Sequence, residues 1–449
     1  METNRNDTFA DALPKDFLRR MQSLLDAGDL ADYLRALKEP PKRMARKNPL
    51  KPAPDELIAA ETGGYPLLSE NAKPSAGALH AAGAYYVQEP AADAVARLLP
   101  PLLPPHAVVL DMCAAPGGKV TAAAAARPDC VFLANEIVFS RAKILLSNVE
   151  RMGLRNVTVT SLRPDAVAAH GTNLFDAVIA DVPCSGEGML RKTRFHESDL
   201  SDESVAACAE RAAKILDMCH LCLREGGLLL FSTCTFNRIE NEQQVRQLIR
   251  NKGYVPVAVP KPPHARQSRD LPQAIKFFPQ DGGGEGHFAC VLQKTQSEAP
   301  APQSRASLGK DKHGGALLRA AVDECARISA EQFDSKQLLL CNDGCELLPP
   351  DYPFAAFPAL RRGMRLCDFA GNRAVPHHHF ATAARADLLL HAPDFAPNAP
   401  EIAAYLSGNE FACCQKSGFR VVKVASLPLG LIKISDGTAK NRYPKGLRL

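Results

Sequence analysis

Between residues 107 and 251 the chain alternates short apolar runs with longer stretches of helical period. Val108-Val109-Leu110 has the length and composition of a buried strand and stops at Asp111. An Ala-rich helix is predicted from about Lys119 to Ala126. Residues 130–134 predict a second strand, ending at Asn135 and Glu136, and Ser140 stands where it would cap a helix running through Met152. Residues 157–160 and 175–180 predict two more strands, the latter stopping at Asp181. A fifth, over 227–232, stops just before Cys234, with helices expected over 204–223 and 241–251. This βαβ rhythm predicts an α/β fold built on a doubly wound, mostly parallel sheet.

The flanks read differently. Phe17, Leu18, Met21, Leu24 and Leu25, then Leu30, Tyr33, Leu34 and Leu37, keep helical spacing over 14–38 until Pro40 and Pro41 stop it. An irregular stretch follows to about residue 83, and a helix over 91–99 is ended by Pro100. A run rich in Ser, Ala, Pro, Gln and Gly predicts a linker over 296–315. Beyond it, apolar runs such as Val421-Val422-Lys423-Val424 and 429–434 are split by turn residues and predict a small β-rich module. The expected divisions are 1–100, 101–295, the linker 296–315, and 316–449.

Composition narrows the partners. The 449 residues are 46% hydrophobic but only 6% aromatic, without Trp, so a grip on nucleic acid would lean on Lys and Arg. Net charge is +5, a weak preference for an anionic partner. Lys42, Arg43, Arg46, Lys47 and Lys51 cluster without an acid between them; such a run is commonly a solvated loop, and its functional reading is a phosphate-contacting arm. Fourteen Cys could form disulfides, but the polar start Met1-Glu2-Thr3-Asn4-Arg5-Asn6-Asp7 has no apolar core region. No apolar run reaches membrane-spanning length. The expectation is therefore a cytoplasmic protein with reduced thiols and no membrane contact. Cys219 and Cys222 fall on an apolar helix face and read as core. Cys341 and Cys345 lack further partners, and His377, His378 and His379 form one isolated loop-like tract, so no metal site is expected.

Asp111, Glu136, Asp181 and Cys234 all fall at predicted strand ends, where doubly wound sheets bind ligands. After Asp111 comes Met112-Cys113-Ala114-Ala115-Pro116-Gly117-Gly118-Lys119. Gly117 and Gly118 permit close backbone approach at a helix start, but the loop has neither the dinucleotide nor the Walker spacing. S-adenosylmethionine fits better, its carboxylate at the helix start and its ribose at Glu136. Two thiols follow, Cys184 in Asp181-Val182-Pro183-Cys184-Ser185-Gly186-Glu187-Gly188 and Cys234 in Ser232-Thr233-Cys234-Thr235. A lone Cys is most often a small buried hydrophobe, but the polar, turn-rich surroundings of both argue otherwise. Methyl transfer to cytosine carbon 5 needs such a group: a thiolate adds at carbon 6, carbon 5 becomes nucleophilic, and a base later removes the carbon 5 proton. On this reading either thiol could attack, and Asp181, carrying or sharing a proton, could hydrogen-bond nitrogen 3.

These motifs, with His80-Ala81-Ala82-Gly83-Ala84-Tyr85-Tyr86-Val87-Gln88-Glu89-Pro90 and the C-terminal Lys440-Asn441-Arg442-Tyr443-Pro444-Lys445-Gly446-Leu447-Arg448, resemble the RsmF-like branch of the Nop/Sun family of RNA (cytosine-5)-methyltransferases. The resemblance runs over nearly the whole chain. It implies a Rossmann-like S-adenosylmethionine-dependent methyltransferase sheet, an N-terminal α+β RNA-recognition segment and a C-terminal PUA-like RNA-binding module. It implies Cys234 as nucleophile, Cys184 in adduct breakdown and Asp181 beside base and methyl donor. Cys113, Ala114, Ala115, Pro116, Gly117, Gly118, Lys119, Glu136, Arg141 and Asp165 would surround the cofactor. The family's Asp after the third strand is matched here only by Asp165 in Leu162-Arg163-Pro164-Asp165. Its Arg-x-Asn-x-x-Lys signature appears as Arg46-Lys47-Asn48-Pro49-Leu50-Lys51. The implied substrate is small-subunit (16S) ribosomal RNA, free or in a ribosomal subunit, and not DNA, acted on by a monomer. The alternatives are a transfer-RNA methyltransferase of the same chemistry and a non-catalytic RNA-binding ribosome assembly factor.

Overall fold

The computed structural model describes residues 13–192, 196–296, 315–371 and 373–449. The polar start Met1–Asp7 and nearly all of the expected linker lie outside them. The helical pattern over 14–38 forms two helices, α1 (Lys15–Leu24) and α2 (Ala27–Ala36), instead of one. Leu25 is extended between them, and Asp26 caps α2 by accepting from the Asp29 N–H. A short carboxylate at that point favours a helix start over a helix interior. Phe17, Met21 and Tyr33 still share one face, which buries against Phe236 and Phe278. Next, β1 (Met44–Lys47) pairs antiparallel with β2 (Tyr85–Gln88). The helix expected over 91–99 is α3 (Pro90–Ala96), capped by Glu89.

The central pattern is realised as expected. The parallel strands are β3 (Val108–Asp111), β4 (Val131–Asn135), β5 (Val157–Thr160), β6 (Phe175–Asp181) and β7 (Leu223–Thr233), in the order β5-β4-β3-β6-β7. The intervening helices are α4 (Gly118–Ala126), α5 (Phe139–Met152), α6 (Pro164–Gly171) and α7 (Asp202–Cys222), followed by α8 (Glu242–Lys252). Ser140 caps nothing: α5 begins one residue earlier, and the Glu136 carboxylate takes the N–H of its N-cap residue Val138. Beyond β7 the sheet continues antiparallel through β11 (His287–Lys294), with β8 (Tyr254–Pro256), β9 (Ala265–Gln267) and β10 (Ile275–Phe277). Both faces are sealed. One packs Val95, Val120, Leu145 and Val149 of α3, α4 and α5, the other Val167, Ile215, Leu216 and Val245 of α6, α7 and α8. Each such side chain contributes about 1.5–3 kcal/mol on burial. Cys219 and Cys222 lie in the second core, as read from their helix face.

The C-terminal region begins with α9 (Gly315–Ala326) and carries two sheets, one antiparallel and one mixed. The first joins β12 (Leu338–Cys341), β13 (Gly344–Leu347), β15 (Met364–Ala370) and β16 (Arg373–Pro376). Between them, β14 (Arg361–Arg362) leaves this sheet and pairs antiparallel with β5, so it extends the central sheet from a distant part of the chain. The second sheet contains β17 (Asp394–Phe395), β18 (Phe411–Ala412), β19 (Gly418–Val424), β20 (Leu427–Ser435) and β21 (Thr438–Asn441), and in it β17 runs parallel to β19. One face of it buries Val422, Leu429 and Ile432 against Ile58, Leu79 and Tyr85 of the N-terminal segment.

The three consecutive histidines are not a loop. His377 caps α10 (His378–Ala383), and His379 donates from Nε2 to the Leu154 carbonyl at 2.9 Å. Burial holds His378 down to about 3 and His220 down to about 4, and keeps His379 far below the ordinary imidazole value. These rings are neutral when folded and charge only on unfolding. Stability from them is present above the unfolded value near 6.5 and is lost as pH falls toward the folded values. The unfolding free energy from urea titrations is therefore expected to fall between pH 6.5 and 5, by up to about 1.4 kcal/mol per pH unit for one imidazole and more steeply if several take part. A flat profile over that interval would contradict the assignment.

Candidate active site

The C-terminal ends of β3, β4, β6 and β7 open into one cavity of 730 Å³. Cys113, Ala115, Glu136, Arg141, Asp165, Asp181, Cys184 and Cys234 all line it, so eight of the residues singled out from sequence meet there. Ala114, Pro116, Gly117, Gly118 and Lys119 stand behind the wall. A Cβ on Gly117 would meet Leu145 and Thr121, and one on Gly118 would meet Gln88, so these glycines seat the loop against α5, α4 and β2. Gly117 also has φ of +113°, which favours glycine.

The two thiols face each other. Cys184 Sγ lies 3.2 Å from Cys234 Sγ across the ends of neighbouring parallel strands, a hydrogen-bonded pair of free thiols. The hydrogen bond to Cys234, then burial, pushes the Cys184 thiol well up, so Cys184 keeps its proton. A third thiol, Cys113, is pushed up by burial and by the carboxylates of Asp111 and Asp181. Lys119 and Lys192 both stand close enough to Cys234 for a charge there to favour their own charged forms.

Asp181 accepts from Lys119 Nζ at 2.7 Å and from Ser232 Oγ at 2.7 Å. Burial opposes its charge, but these partners prevail and hold it below the usual carboxylate range. This amends the expectation for Asp181: it stands ready as a carboxylate, and does not bring a proton of its own. Asp111, one strand over, is fully buried, and burial followed by the Asp181 charge raises it to about 8.

Sequence reasoning missed the groups that hold the thiol loops. Glu187, in the Cys184 loop, accepts from Thr235 Oγ1, from the N–H groups of Phe236 and Asn237 and from Asn237 Nδ2, all in the Cys234 loop. Glu240, beyond Cys234, reaches back to accept from the Ser185 N–H and hydroxyl. Each loop thus supplies a buried carboxylate to the other. Arg20 of α1 donates to Glu187 at 2.8 Å, which ties the N-terminal segment to the site. Gly188 N–H donates to the Cys234 carbonyl, and any Cβ on Gly188 would strike the backbone of Gly286. A carboxylate spaced three residues from a thiol was visible in Cys184-Ser185-Gly186-Glu187, but a tertiary acceptor role has no periodic signal.

The basic run is neither a solvated loop nor an arm. Arg46 is buried over the Tyr86 ring at 4.8 Å and donates to Gln88, to Thr121 and to the Gly118 carbonyl of the cofactor-loop helix. Lys51 donates to the Ala82 and Arg151 carbonyls, and Lys47 pairs with Asp55. Lys42 and Arg43 donate to backbone carbonyls.

The cavity wall suits S-adenosylmethionine. Glu136 offers a carboxylate for a diol at the end of β4, steadied by Arg141 at 3.3 Å. Ile137 and Val138, 55% and 45% exposed, form an apolar wall of the size an adenine ring would cover. Asp165, ion-paired with Arg163, stands at the rim.

Comparison with known proteins gives a consistent picture. Three family descriptions match in series: the N-terminal domain of 16S rRNA methyltransferase RsmF over 13–90, 16S rRNA methyltransferase RsmB/F over 100–293, and the methyltransferase RsmF PUA domain over 392–449. The chain is similar to ribosomal RNA small subunit methyltransferase F of Cronobacter sakazakii, 31% identical, covering 97% of this chain and 96% of that one. It is also similar to the protein of that name from Pectobacterium atrosepticum, 28% identical over the same shares. Among solved structures, NSun6 from Pyrococcus horikoshii with SFG superposes with TM-score 0.55 at 19% identity, over 64% of this chain and all of that one. This last likeness speaks for the fold alone.

Proposed function

We propose how the site works from one premise: the chain belongs to the family of ribosomal RNA small subunit methyltransferase F. It is an S-adenosylmethionine-dependent methyltransferase that modifies cytosine in ribosomal RNA. The finer reading is that carbon 5 of a small-subunit cytosine is modified through a covalent bond to Cys234. The bound cofactor supplies an electrophilic methyl group. Glu136 and the apolar wall at Ile137 would hold its nucleoside, with Cys113, Ala115, Arg141 and Asp165 around it.

The protein's own groups do the rest. The Cys234 thiolate adds to carbon 6, and the ring's electron density shifts toward carbon 5. Nitrogen 3 becomes more basic as the ring takes up the thiolate, and the Asp181 carboxylate stabilises the protonated form there. Carbon 5 takes the methyl group; a solvent base then accepts the carbon 5 proton, the electron pair of that C–H bond forms the carbon 5–carbon 6 double bond, and the carbon–sulfur bond breaks to return the Cys234 thiolate. The Cys184 thiol, proton in place, hydrogen-bonds the departing thiolate. The target base must leave its stack to reach this cavity.

One observation carries the reading: two free thiols 3.2 Å apart on the wall of a cavity that also holds Glu136 and Asp181. A non-catalytic assembly factor has no use for this pair. Cys184→Ala is expected to accumulate a protein–RNA adduct, visible as a mass shift, while turnover falls. Absence of any adduct with cofactor and ribosomal RNA present would remove its assigned role. Bisulfite sequencing of small-subunit RNA with and without the protein tests the substrate, and modification of transfer RNA in its place would redirect the reading. We further infer a cytoplasmic monomer; among the described residues no helix is long and apolar enough to cross a membrane.

A further inference from the structure

We propose that Cys184 and Cys234 form a site of reversible oxidative modification, at which hydrogen peroxide joins the two sulfurs in a disulfide. The bond needs only the geometry of the pair. The loss of methyl transfer that comes with it rests on the reading of Cys234 as nucleophile.

The chain has fourteen Cys. Among the described residues two pairs of thiols are hydrogen-bonded to one another, Cys184 with Cys234 at 3.2 Å and Cys325 with Cys367 at 3.6 Å. Access separates them. Cys325 and Cys367 are sealed in the core packed on the first C-terminal sheet. Cys184 and Cys234 are half-buried on the wall of the 730 Å³ cavity, so a small polar oxidant reaches them by the route that admits the base. Disulfides of intracellular proteins are mostly transient ones at catalytic thiols of this kind. Lys119 and Lys192 stand within electrostatic reach of Cys234, and cations beside an accessible thiol mark redox-sensitive cysteines.

The loops keep the pair together. Ser185 Oγ lies 2.9 Å from Thr235 Oγ1, so the residues that follow the two thiols also touch. Gly188 N–H donates to the Cys234 carbonyl at 2.9 Å, and Glu240 and Glu187 tie each loop to the other. Sulfurs in a disulfide are about 2.05 Å apart, so from 3.2 Å they close by about 1.2 Å, a shift that side-chain torsions supply.

The Cys234 sulfur, having given up its proton, attacks one oxygen of the peroxide. The O–O bond breaks, the departing hydroxide takes up that proton and leaves as water, and Cys234 becomes a sulfenic acid. The Cys184 sulfur then bonds to the Cys234 sulfur, the S–O bond breaks, and the Cys184 proton leaves with the oxygen as a second water. The thiols together lose two electrons and two protons, and the peroxide is reduced to two waters. A dithiol reverses the bond by exchange. Without a partner, the sulfenic acid goes on to acids that thiols do not reduce, so Cys184 also shields the nucleophile from permanent loss. In the disulfide Cys234 has no free sulfur for carbon 6, whereas Glu136 and the wall at Ile137 are unaltered and still take the cofactor.

The test treats full-length protein with a small excess of hydrogen peroxide, stops it with catalase, and follows intact mass, linked peptides and methyl transfer. The wild type should lose two hydrogens and give a peptide linking the Cys184 and Cys234 segments. Methyl transfer should fall in proportion to the linked fraction and return fully with dithiothreitol, while S-adenosylmethionine binding by calorimetry is unchanged throughout. Cys184→Ala should instead gain oxygen at Cys234, captured early by dimedone, and its ability to form the RNA adduct should not return with dithiothreitol. An unmodified wild type overturns the proposal. So does oxygen gained at Cys234 without a linked peptide, or a link found between Cys325 and Cys367 alone. A Cys184–Cys234 link that leaves methyl transfer intact keeps the oxidation site and overturns Cys234 as nucleophile instead.

Discussion

Cys234→Ala is expected to abolish both methyl incorporation and the protein–RNA adduct, a loss on the order of 10⁴-fold or more, the scale on which covalent nucleophiles are missed. The reason lies in the division of labour between the thiols. Without Cys234, carbon 5 of cytosine stays a poor nucleophile and no other group in the cavity can change that. Cys184 sits only 3.2 Å away but at the end of a different strand and with its proton retained. Cys113, half-buried on the cavity wall, has its thiol pushed up as well. The substitution should leave the fold intact, because it removes one weak S–H contact worth about 1 kcal/mol or less. Methyl transfer from labelled cofactor, measured with the intact-mass assay, separates the two outcomes. Full activity in Cys234→Ala would end the assignment.

Glu187→Ala should be the most damaging substitution outside the reacting groups. Glu187 is fully buried, and its carboxylate receives the Thr235 hydroxyl, two backbone N–H groups, the Asn237 amide and the Arg20 guanidinium. Truncation leaves the buried Phe236 and Asn237 N–H groups without an acceptor, at about 1–3 kcal/mol each, while Arg20 keeps Asp202 and the Leu200 carbonyl and the Asn237 amide keeps Glu240. The Cys234 loop would then lose the anchor that sets the thiol's position. A displacement of about 1 Å at a reacting group costs on the order of 100-fold in rate. Urea unfolding and single-turnover methylation measure the two effects on one sample. Glu187→Gln keeps the shape but turns an amide toward Arg20, and should fall between. A stability loss below about 1 kcal/mol for the alanine variant would show that the loops hold themselves.

The parts legible in the sequence were those with a local or periodic signature. Strand ends announced themselves because apolar runs stop abruptly at Asp111, Glu136, Asp181 and Cys234, and the fold brings these ends to one cavity. Glu136 followed from the same register, whereas Cys113 and Arg141 came only with the family resemblance; all three line that cavity. What escaped was decided by tertiary contact. The break at Leu25 and Asp26 depends on a cap outweighing an intact apolar stripe. Arg46 and Lys51 looked like solvent-facing charge because composition cannot show that backbone carbonyls await them inside. Glu187 and Glu240 sat in plain view, yet their partners lie about fifty residues away.

The pairing of β14 with β5 has a consequence for biosynthesis. As residues 101–295 leave the ribosome, β5 is an uncapped border strand, with free N–H and C=O groups able to recruit a neighbouring polypeptide. Arg361 and Arg362 cover that border only after some two hundred further residues have been made. During that interval the nascent enzyme is at its most prone to aggregate, and a truncated protein ending before residue 361 would keep that hazard for life.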